Sequence, residues 1–351
     1  MTIHIVPIEP IEERYSAQWL TWFTDYINHT TIGDYVIYDP SDYINTRQNF
    51  EIINGQFLDA VETSLYKSQQ LTSLITAIKN KTIKSGDCIL FFDGWFPGVE
   101  SIAYIRDILN LDIRLIAMFH AGTYDPNDFL SQTQIKQWGP SVESSWLILY
   151  DKILVATHYH KNLILSKFKQ NNMIDKIKVV FFPILNDWLP DQSPCLPEAY
   201  VVFPHRLAPE KQPKLFEQLQ KHKSLMHHVC LMTKKTTNNK TDYWSILQRS
   251  TYSVSMALQE TWGIAMIESV IAGCIPIVPN RLSYAELYPS IFKYPDAEPE
   301  HTVDAILQKL EQLKQIPSDE ITTALENLRN KFLLLGSASI STILGHCHHE
   351  Y

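Results

Sequence analysis

Short apolar runs alternate with longer amphipathic stretches through most of the chain. Ile3 to Val6, Tyr35 to Tyr38, Cys88 to Phe92, Ile113 to Phe119, Lys152 to Ala156 and Lys178 to Phe182 have the length and composition of buried strands. Between them, Glu12 to Ile27, Phe57 to Lys79, Gly98 to Leu109 and His158 to Lys169 carry apolar residues at helical spacing. Strands separated by helices pair in parallel rather than as hairpins, so the pattern predicts an α/β fold with helices packed on a parallel sheet.

The alternation breaks at Pro183-Ile184-Leu185-Asn186-Asp187-Trp188-Leu189-Pro190-Asp191-Gln192-Ser193-Pro194, where three prolines and several turn formers read as a linker. It then restarts with strands Tyr200 to Phe203, His228 to Met232, Tyr252 to Ser255 and Ile275 to Val278, and helices Pro213 to His222 and Tyr243 to Arg249. A last helix is expected from Ser318 to Leu335, Ser318 being a suitable N-cap. The organisation predicted is an N-terminal Rossmann-like domain over 1–184, a second over 185–335 and a tail over 336–351. Open parallel sheets bind ligands beyond the carboxyl ends of their strands, so two such domains would share a cleft there.

Composition narrows the partners. At 351 residues and 45% hydrophobic, the chain can bury two cores. No apolar run is long enough to span a bilayer, and Met1-Thr2-Ile3-His4-Ile5 leads into a strand without a basic leader, so a soluble, cytoplasmic protein is expected. Five scattered cysteines lack any Cys-x-x-Cys pair, which argues for reduced thiols rather than a disulfide framework or zinc site. A net charge of −8 disfavours coating of nucleic acid by charge alone. Neither a Gly-x-Gly-x-x-Gly nor a P-loop pattern occurs among the 11 glycines.

The segment Leu258 to Pro279 concentrates the chemistry. It places Glu260 and Glu268 across the start of an apolar helix that ends at Gly273, and the N–H groups near Gly263 and Ile264 suit a phosphate. Glu268 lies among apolar neighbours, where a carboxylate requires a partner. In Phe203-Pro204-His205-Arg206-Leu207-Ala208-Pro209-Glu210-Lys211, the two cations either neutralise a diphosphate or belong to a solvated loop, and their place at a strand's carboxyl end favours the first. Asp93, in Asp93-Gly94-Trp95, either orients a hydroxyl or forms a turn. Lys234-Lys235-Thr236-Thr237-Asn238-Asn239-Lys240 offers a small basic loop, and His346-Cys347-His348-His349 reads as a terminus that takes metal only adventitiously. There is no Asp-x-Asp pair to hold a metal beside a diphosphate.

Arg206, Lys211 and the Glu260-x7-Glu268 spacing resemble the retaining glycosyltransferases of family 4 over roughly Tyr200 to Pro289. The resemblance implies the GT-B fold, two Rossmann-like parallel-sheet domains facing across a cleft. It further implies that Arg206 and Lys211 hold the donor diphosphate, that Glu260 faces the transferred sugar and that Glu268 binds the ribose. Tyr243-Trp244, Ser255 and Pro279-Asn280-Arg281-Leu282-Ser283-Tyr284-Ala285-Glu286-Leu287 look most like the tRNA-queuosine mannosyltransferase branch, which often has proline at the position of Ala285. His120, in Met118-Phe119-His120-Ala121-Gly122, follows a strand as that family's active-site histidine does. The first strand departs from the pattern: Pro7 to Ser16, including Arg14, replaces a glycine-rich turn, and acceptor contacts by Arg14 or Asp93 are the weaker expectation.

By this resemblance the chain is expected to transfer a sugar from a UDP- or GDP-sugar, with no further cofactor and no metal, to a hydroxyl on a modified base in nucleic acid. A composition rich in Asn, Ile and Lys suits an AT-rich bacteriophage genome, pointing to a hydroxymethylated pyrimidine in DNA, with tRNA-queuosine, a saccharide or a small molecule as alternatives. A noncatalytic nucleotide-sugar binding module is the alternative of another class.

Overall fold

In the computed structural model, residues 1–9, 15–30, 33–40, 59–169, 173–185, 199–237 and 239–348 are described. They form two compact units, Met1–Phe181 with Ser339–Tyr351, and Phe182–Ala338.

The first unit contains strands β1 (Thr2–Val6), β2 (Asp34–Ile37), β3 (Cys88–Phe91), β4 (Arg114–Met118), β5 (Lys152–Val155) and β6 (Ile177–Val179). They pair in parallel in the order β2-β1-β3-β4-β5-β6. Helices α1 (Tyr15–Asn28), α2 (Ala60–Lys79), α3 (Val99–Ile108), α4 (Gly139–Leu149) and α5 (His158–Lys167) connect them. Every residue of β3 is buried, as a strand covered by helices on both faces must be. Asp59 caps α2, its side chain accepting from the N–H groups of Val61 and Glu62. The core joins Ile89, Phe91, Leu115, Ala117, Ile153 and Val155 from three adjacent strands.

The second unit contains β7 (Ala199–Phe203), α6 (Pro213–Lys221), β8 (Cys230–Met232), α7 (Lys240–Gln248), β9 (Ser250–Val254), α8 (Ile264–Ile271), β10 (Ile275–Pro279), α9 (Leu282–Leu287), β11 (Lys293–Tyr294), α10 (Pro299–Gln315) and most of α11 (Ser318–Gly345), whose residues from Ser339 belong to the first unit. Its five strands are parallel in the order β11-β10-β9-β7-β8. The chain therefore leaves β7 toward β8 on one side and returns to pair β9 on the other. That reversal makes a topological switch point between β7 and β9, where open sheets form ligand crevices.

Several elements differ from the sequence expectation, and α4, α9 and β11 were not anticipated. The sixth strand ends at Val179, because Phe181 adopts a left-handed backbone with φ 55° and turns the chain out of the sheet. Helix α7 starts at Lys240 rather than Tyr243, since Asn239 accepts from the N–H groups of Thr241 and Asp242 at 2.7 and 3.2 Å. Helix α10, opened by Pro299 in its first turn, was not anticipated. The stretch read as a tail from residue 336 instead continues α11 to Gly345. Gly336 does not end the helix: an added Cβ would stand 2.2 Å from the Ile184 carbonyl oxygen, so close packing demands glycine there. Arg114 then donates to the carbonyls of His346, Cys347 and His348 just past the helix, fastening that segment to the first sheet.

The linker residues 186–194 and Arg14 lie outside the described residues. Among the described residues no cysteine forms a disulfide, and no helix is long and apolar enough to cross a membrane. None of their His, Cys, Asp and Glu side chains group into a potential metal site, His346, Cys347 and His348 included.

Candidate functional site

At the switch point of the second sheet, β7 delivers Pro204, His205 and Arg206, and a single turn of 3-10 helix carries Pro209–Lys211 before Pro213 opens α6. The loop after β9 delivers Gln259 and Glu260 and ends at Gly263, the cap of α8. The Leu258 N–H donates to the Glu210 carbonyl at 2.8 Å and draws the two loops together.

Lys211, only 6% exposed, crosses between them. Its Nζ donates to Glu260 Oε2 at 3.0 Å, to Gln259 Oε1 at 3.3 Å and to the Gln259 carbonyl. The other Glu260 oxygen accepts from the Gly263 N–H at 2.9 Å. Gly263 has φ 87°, a left-handed conformation, and a Cβ there would come within 3.2 Å of the Tyr284 ring. Glycine is thus favoured by the backbone, and a Cβ would need the Tyr284 ring to give by a few tenths of an ångström. Beyond it, the first N–H groups of α8, that of Ile264 among them, point along the axis without intrahelical partners by their position. Arg206 is held by Glu210, which accepts from its Nε at 3.1 Å and from a terminal nitrogen as well. Lys211, Glu260 and Gly263 are therefore in direct contact, with Arg206 on the same loop as Lys211 and Ile264 next along the chain from Gly263.

Glu268 sits one helical turn deeper and is 6% exposed. Its partners are Lys240, donating to Oε1 at 2.6 Å, and the Tyr243 hydroxyl, donating to Oε2 at 2.8 Å. The Lys240 ammonium also stands 4.8 Å from the Tyr243 ring centre and 5.5 Å from that of Trp244, a cation–π arrangement. Burial first, and the Glu268 charge second, push the Tyr243 hydroxyl well above its ordinary pKa, so it stays a donor. The partner that a buried carboxylate requires is thus a two-residue clamp. Two lysines of the basic loop are engaged within the unit, Lys240 with Glu268 and Lys235 with Glu217, each at 2.6 Å.

Residues to which the sequence assigned no role hold the loops in place. Arg281 donates through Nε to the Ala257 carbonyl at 3.2 Å, through one terminal nitrogen to the Met256 carbonyl at 3.4 Å and through the other to Asp296 at 2.7 Å. Tyr284 and Ser255 share a hydroxyl–hydroxyl bond of 2.9 Å, and the Tyr294 hydroxyl donates to the Ser255 carbonyl at 2.9 Å. Ser269 donates to Ser253 at 2.7 Å and seats α8 on β9. An arginine two residues past a buried strand was the visible signal, since a guanidinium can bind several carbonyls at once.

In the first unit, His120 follows β4 and Asp93 follows the neighbouring β3. His120 Nε2 donates to the Phe92 carbonyl at 2.7 Å, and its ring lies 5.3 Å from Trp19 and 5.9 Å from Tyr15. Burial lowers its pKa, with Asp93 and the Phe92 carbonyl acting in the opposite direction, so the ring is neutral near pH 7. Asp93 engages both oxygens within the protein: Lys67 Nζ lies 2.7 Å from Oδ2, and the Trp95 N–H donates to Oδ1 at 3.0 Å. Its turn-forming role is therefore realised. Glu143, fully buried and unnoticed in the sequence, accepts from the Thr123 N–H at 2.7 Å, the Thr123 hydroxyl and Trp95 Nε1 at 2.8 Å, tying the loops after β3 and β4 together.

No protein-family model matches the chain. A tRNA-queuosine alpha-mannosyltransferase of Drosophila melanogaster is 25% identical over 177 residues, covering 40% of this chain and 45% of that protein. The chain thus spans less than half the length of that relative. Among solved structures, the sucrose-phosphate synthase of Thermosynechococcus elongatus matches with a TM-score of 0.67 over 99% of this chain and 97% of its own, at 10% identity. The catalytic domain of starch synthase IV from Arabidopsis thaliana, bound to ADP and acarbose, matches with a TM-score of 0.61 over 97% of this chain and 99% of its own, at 12% identity. These likenesses identify the fold as GT-B, built from two parallel-sheet α/β units.

Proposed function

We propose that this protein is a retaining glycosyltransferase that takes a sugar from a UDP- or GDP-linked donor and places it on a hydroxyl of a modified base in nucleic acid. The observation that carries the reading is the contact set Lys211–Glu260–Gly263 at the switch point of the second sheet. It sets a buried cation, a carboxylate and the start of a helix side by side, the groups that a diphosphate joined to a sugar requires.

In this reading Arg206 and Lys211 bind the diphosphate and, with the first N–H groups of α8, stabilise the charge that develops as the nucleoside diphosphate leaves. Cationic side chains and oriented dipoles can do this work in place of a metal ion. Glu260 faces the transferred sugar and Glu268 the ribose. His120, neutral and oriented by the Phe92 carbonyl, contacts the sugar or the incoming hydroxyl. Calorimetric titration with UDP- and GDP-sugars, each with and without EDTA, tests the donor half. Binding unaffected by EDTA is expected, and absence of binding to every donor would refute it.

For the acceptor we propose a hydroxymethylated pyrimidine in DNA, on the AT-rich coding bias of the composition. The fly relative, named for tRNA-queuosine, favours a second reading with tRNA as acceptor. Filter binding against modified and plain DNA and tRNA, titrated with salt, separates the two. Indifference to all four would point to a saccharide or small-molecule acceptor.

A further inference from the structure

His205 stands between the last strand residues of β7 and the two cations of the candidate donor site. It is 2% exposed, and its Nε2 has no hydrogen-bond partner among the described residues. Its ring packs edge-on against Phe203, with centroids 5.1 Å apart, and Phe203 in turn packs on Phe216 of α6 at 5.2 Å. An apolar side chain would satisfy those neighbours at no cost in hydrogen bonding. A buried polar atom left without a partner is destabilising, so an imidazole here calls for a use outside the resting set of contacts.

We infer that His205 is a third phosphate-binding residue of the donor site, donating from Nε2–H to an oxygen of the nucleoside diphosphate held by Arg206 and Lys211. The inference rests on the donor reading above and adds a residue to that site. Lys211 and Arg206 lie close enough for their charges to add to burial in holding the imidazole neutral. A neutral ring keeps one N–H to give, and adds no third positive charge beside two cations. Arg206 is the neighbour of His205 in sequence and Lys211 acts on the ring as well, so a phosphate oxygen held by the two cations would come beside the imidazole. The hydrogen bond then formed is charge-assisted on the acceptor side, the stronger class of such bonds.

Two variants of the full chain test this. His205→Phe keeps the ring packing against Phe203 but has no N–H, whereas His205→Gln retains a donor. Binding is measured by calorimetry for UDP and GDP and, as phosphate-free controls, for uridine and guanosine. Loss of one bond to a charged group is expected to weaken nucleoside diphosphate binding by roughly tenfold or more in His205→Phe. The nucleoside that binds should keep its affinity, and His205→Gln should recover most of the loss. Equal nucleoside diphosphate affinity in His205→Phe and wild type would overturn the inference while leaving the donor reading intact. Equal losses of nucleoside and nucleoside diphosphate would show a structural role and overturn it too. If the wild type binds neither UDP nor GDP, the donor reading itself fails and this inference with it.

Discussion

Lys211 and Glu260, 49 positions apart in sequence, form an ion pair of 3.0 Å in which both side chains are largely shielded from water. The pair closes the gap between the loop after β7 and the loop after β9, so each loop depends on the other for its conformation. A charge that folds beside its counter-charge is costly to leave alone, because desolvation is then unreturned.

Removal of one partner should therefore affect stability and chemistry together. Lys211→Ala is expected to destabilise the protein by roughly 3 kcal/mol, the low end for breaking a buried pair, since Glu260 retains the Gly263 N–H. Urea unfolding measures that loss. Glu260→Gln keeps the shape and one acceptor oxygen, so its stability loss should be smaller, while donor turnover falls on the order of a hundredfold if Glu260 faces developing charge. Turnover within twofold of wild type in Glu260→Gln would mean that the reacting sugar lies elsewhere.

The Glu268 clamp separates binding from packing. Tyr243→Phe removes one of the two donors but leaves Lys240 on the carboxylate, and should weaken UDP or GDP binding by less than about tenfold, the effect of one ordinary hydrogen bond. Glu268→Ala leaves the Lys240 ammonium buried without its carboxylate, and detectable nucleotide binding is expected to vanish. A titration in which Tyr243→Phe proved the more damaging of the two would contradict a ribose-binding role for Glu268.

How much of this was legible beforehand depended on whether a group's partner was near in sequence. The alternation of strands and helices marked both sheets, and Arg206, Lys211 and Glu260 were recognisable because each falls in a loop after a strand. The partners of Glu268 were not, since Lys240 and Tyr243 lie 28 and 25 positions before it and Lys240 looked like part of a basic loop. Glu143 escaped notice for the same reason, its bonds to Trp95 and Thr123 spanning 48 and 20 positions. The extension of α11 was hidden behind Gly336, which reads as a helix stop until the Ile184 backbone beside it is known. Sequence patterns report which face of an element is buried. They do not report which buried charges neutralise each other.

Gly263 is a position where a single methyl group should be felt. With φ 87°, any other L-residue is strained, and the Cβ of Gly263→Ala would press within 3.2 Å of Tyr284 and 3.4 Å of the Glu260 Cγ. A cost of about 1–2 kcal/mol in stability is expected from the backbone alone. Because Glu260 caps this turn, donor turnover should fall by more than the stability loss explains when both are measured well below the melting temperature. Unchanged turnover at full folding would show that the Glu260–Gly263 bond has no part in catalysis.

Acid should destabilise the fold through histidines that are buried neutral. His160 is pushed down to about 3 by burial, with His120 contributing, and burial likewise lowers His4, His120 and His205. In each case the folded pKa lies below the unfolded value of 6.5, so the unfolded chain takes up protons first. Stability is then fully present above pH 6.5 and is lost as pH falls, by about 1.4 kcal/mol per pH unit for each such histidine, over a window that for His160 reaches down toward 3. Asp39 and Glu143, both raised by burial, act in the opposite sense within the carboxylate range, because there the folded state holds the extra proton. The histidine effect should therefore stand clearest between pH 6.5 and 5, above most of the carboxylate range. His160 Nε2 lies 2.7 Å from the Tyr124 hydroxyl, and a glutamine amide can keep that bond without titrating. The fall in melting temperature from pH 6.5 to 5 should be shallower in His160→Gln than in wild type. Parallel curves for the two proteins would show that His160 is not held neutral by the fold.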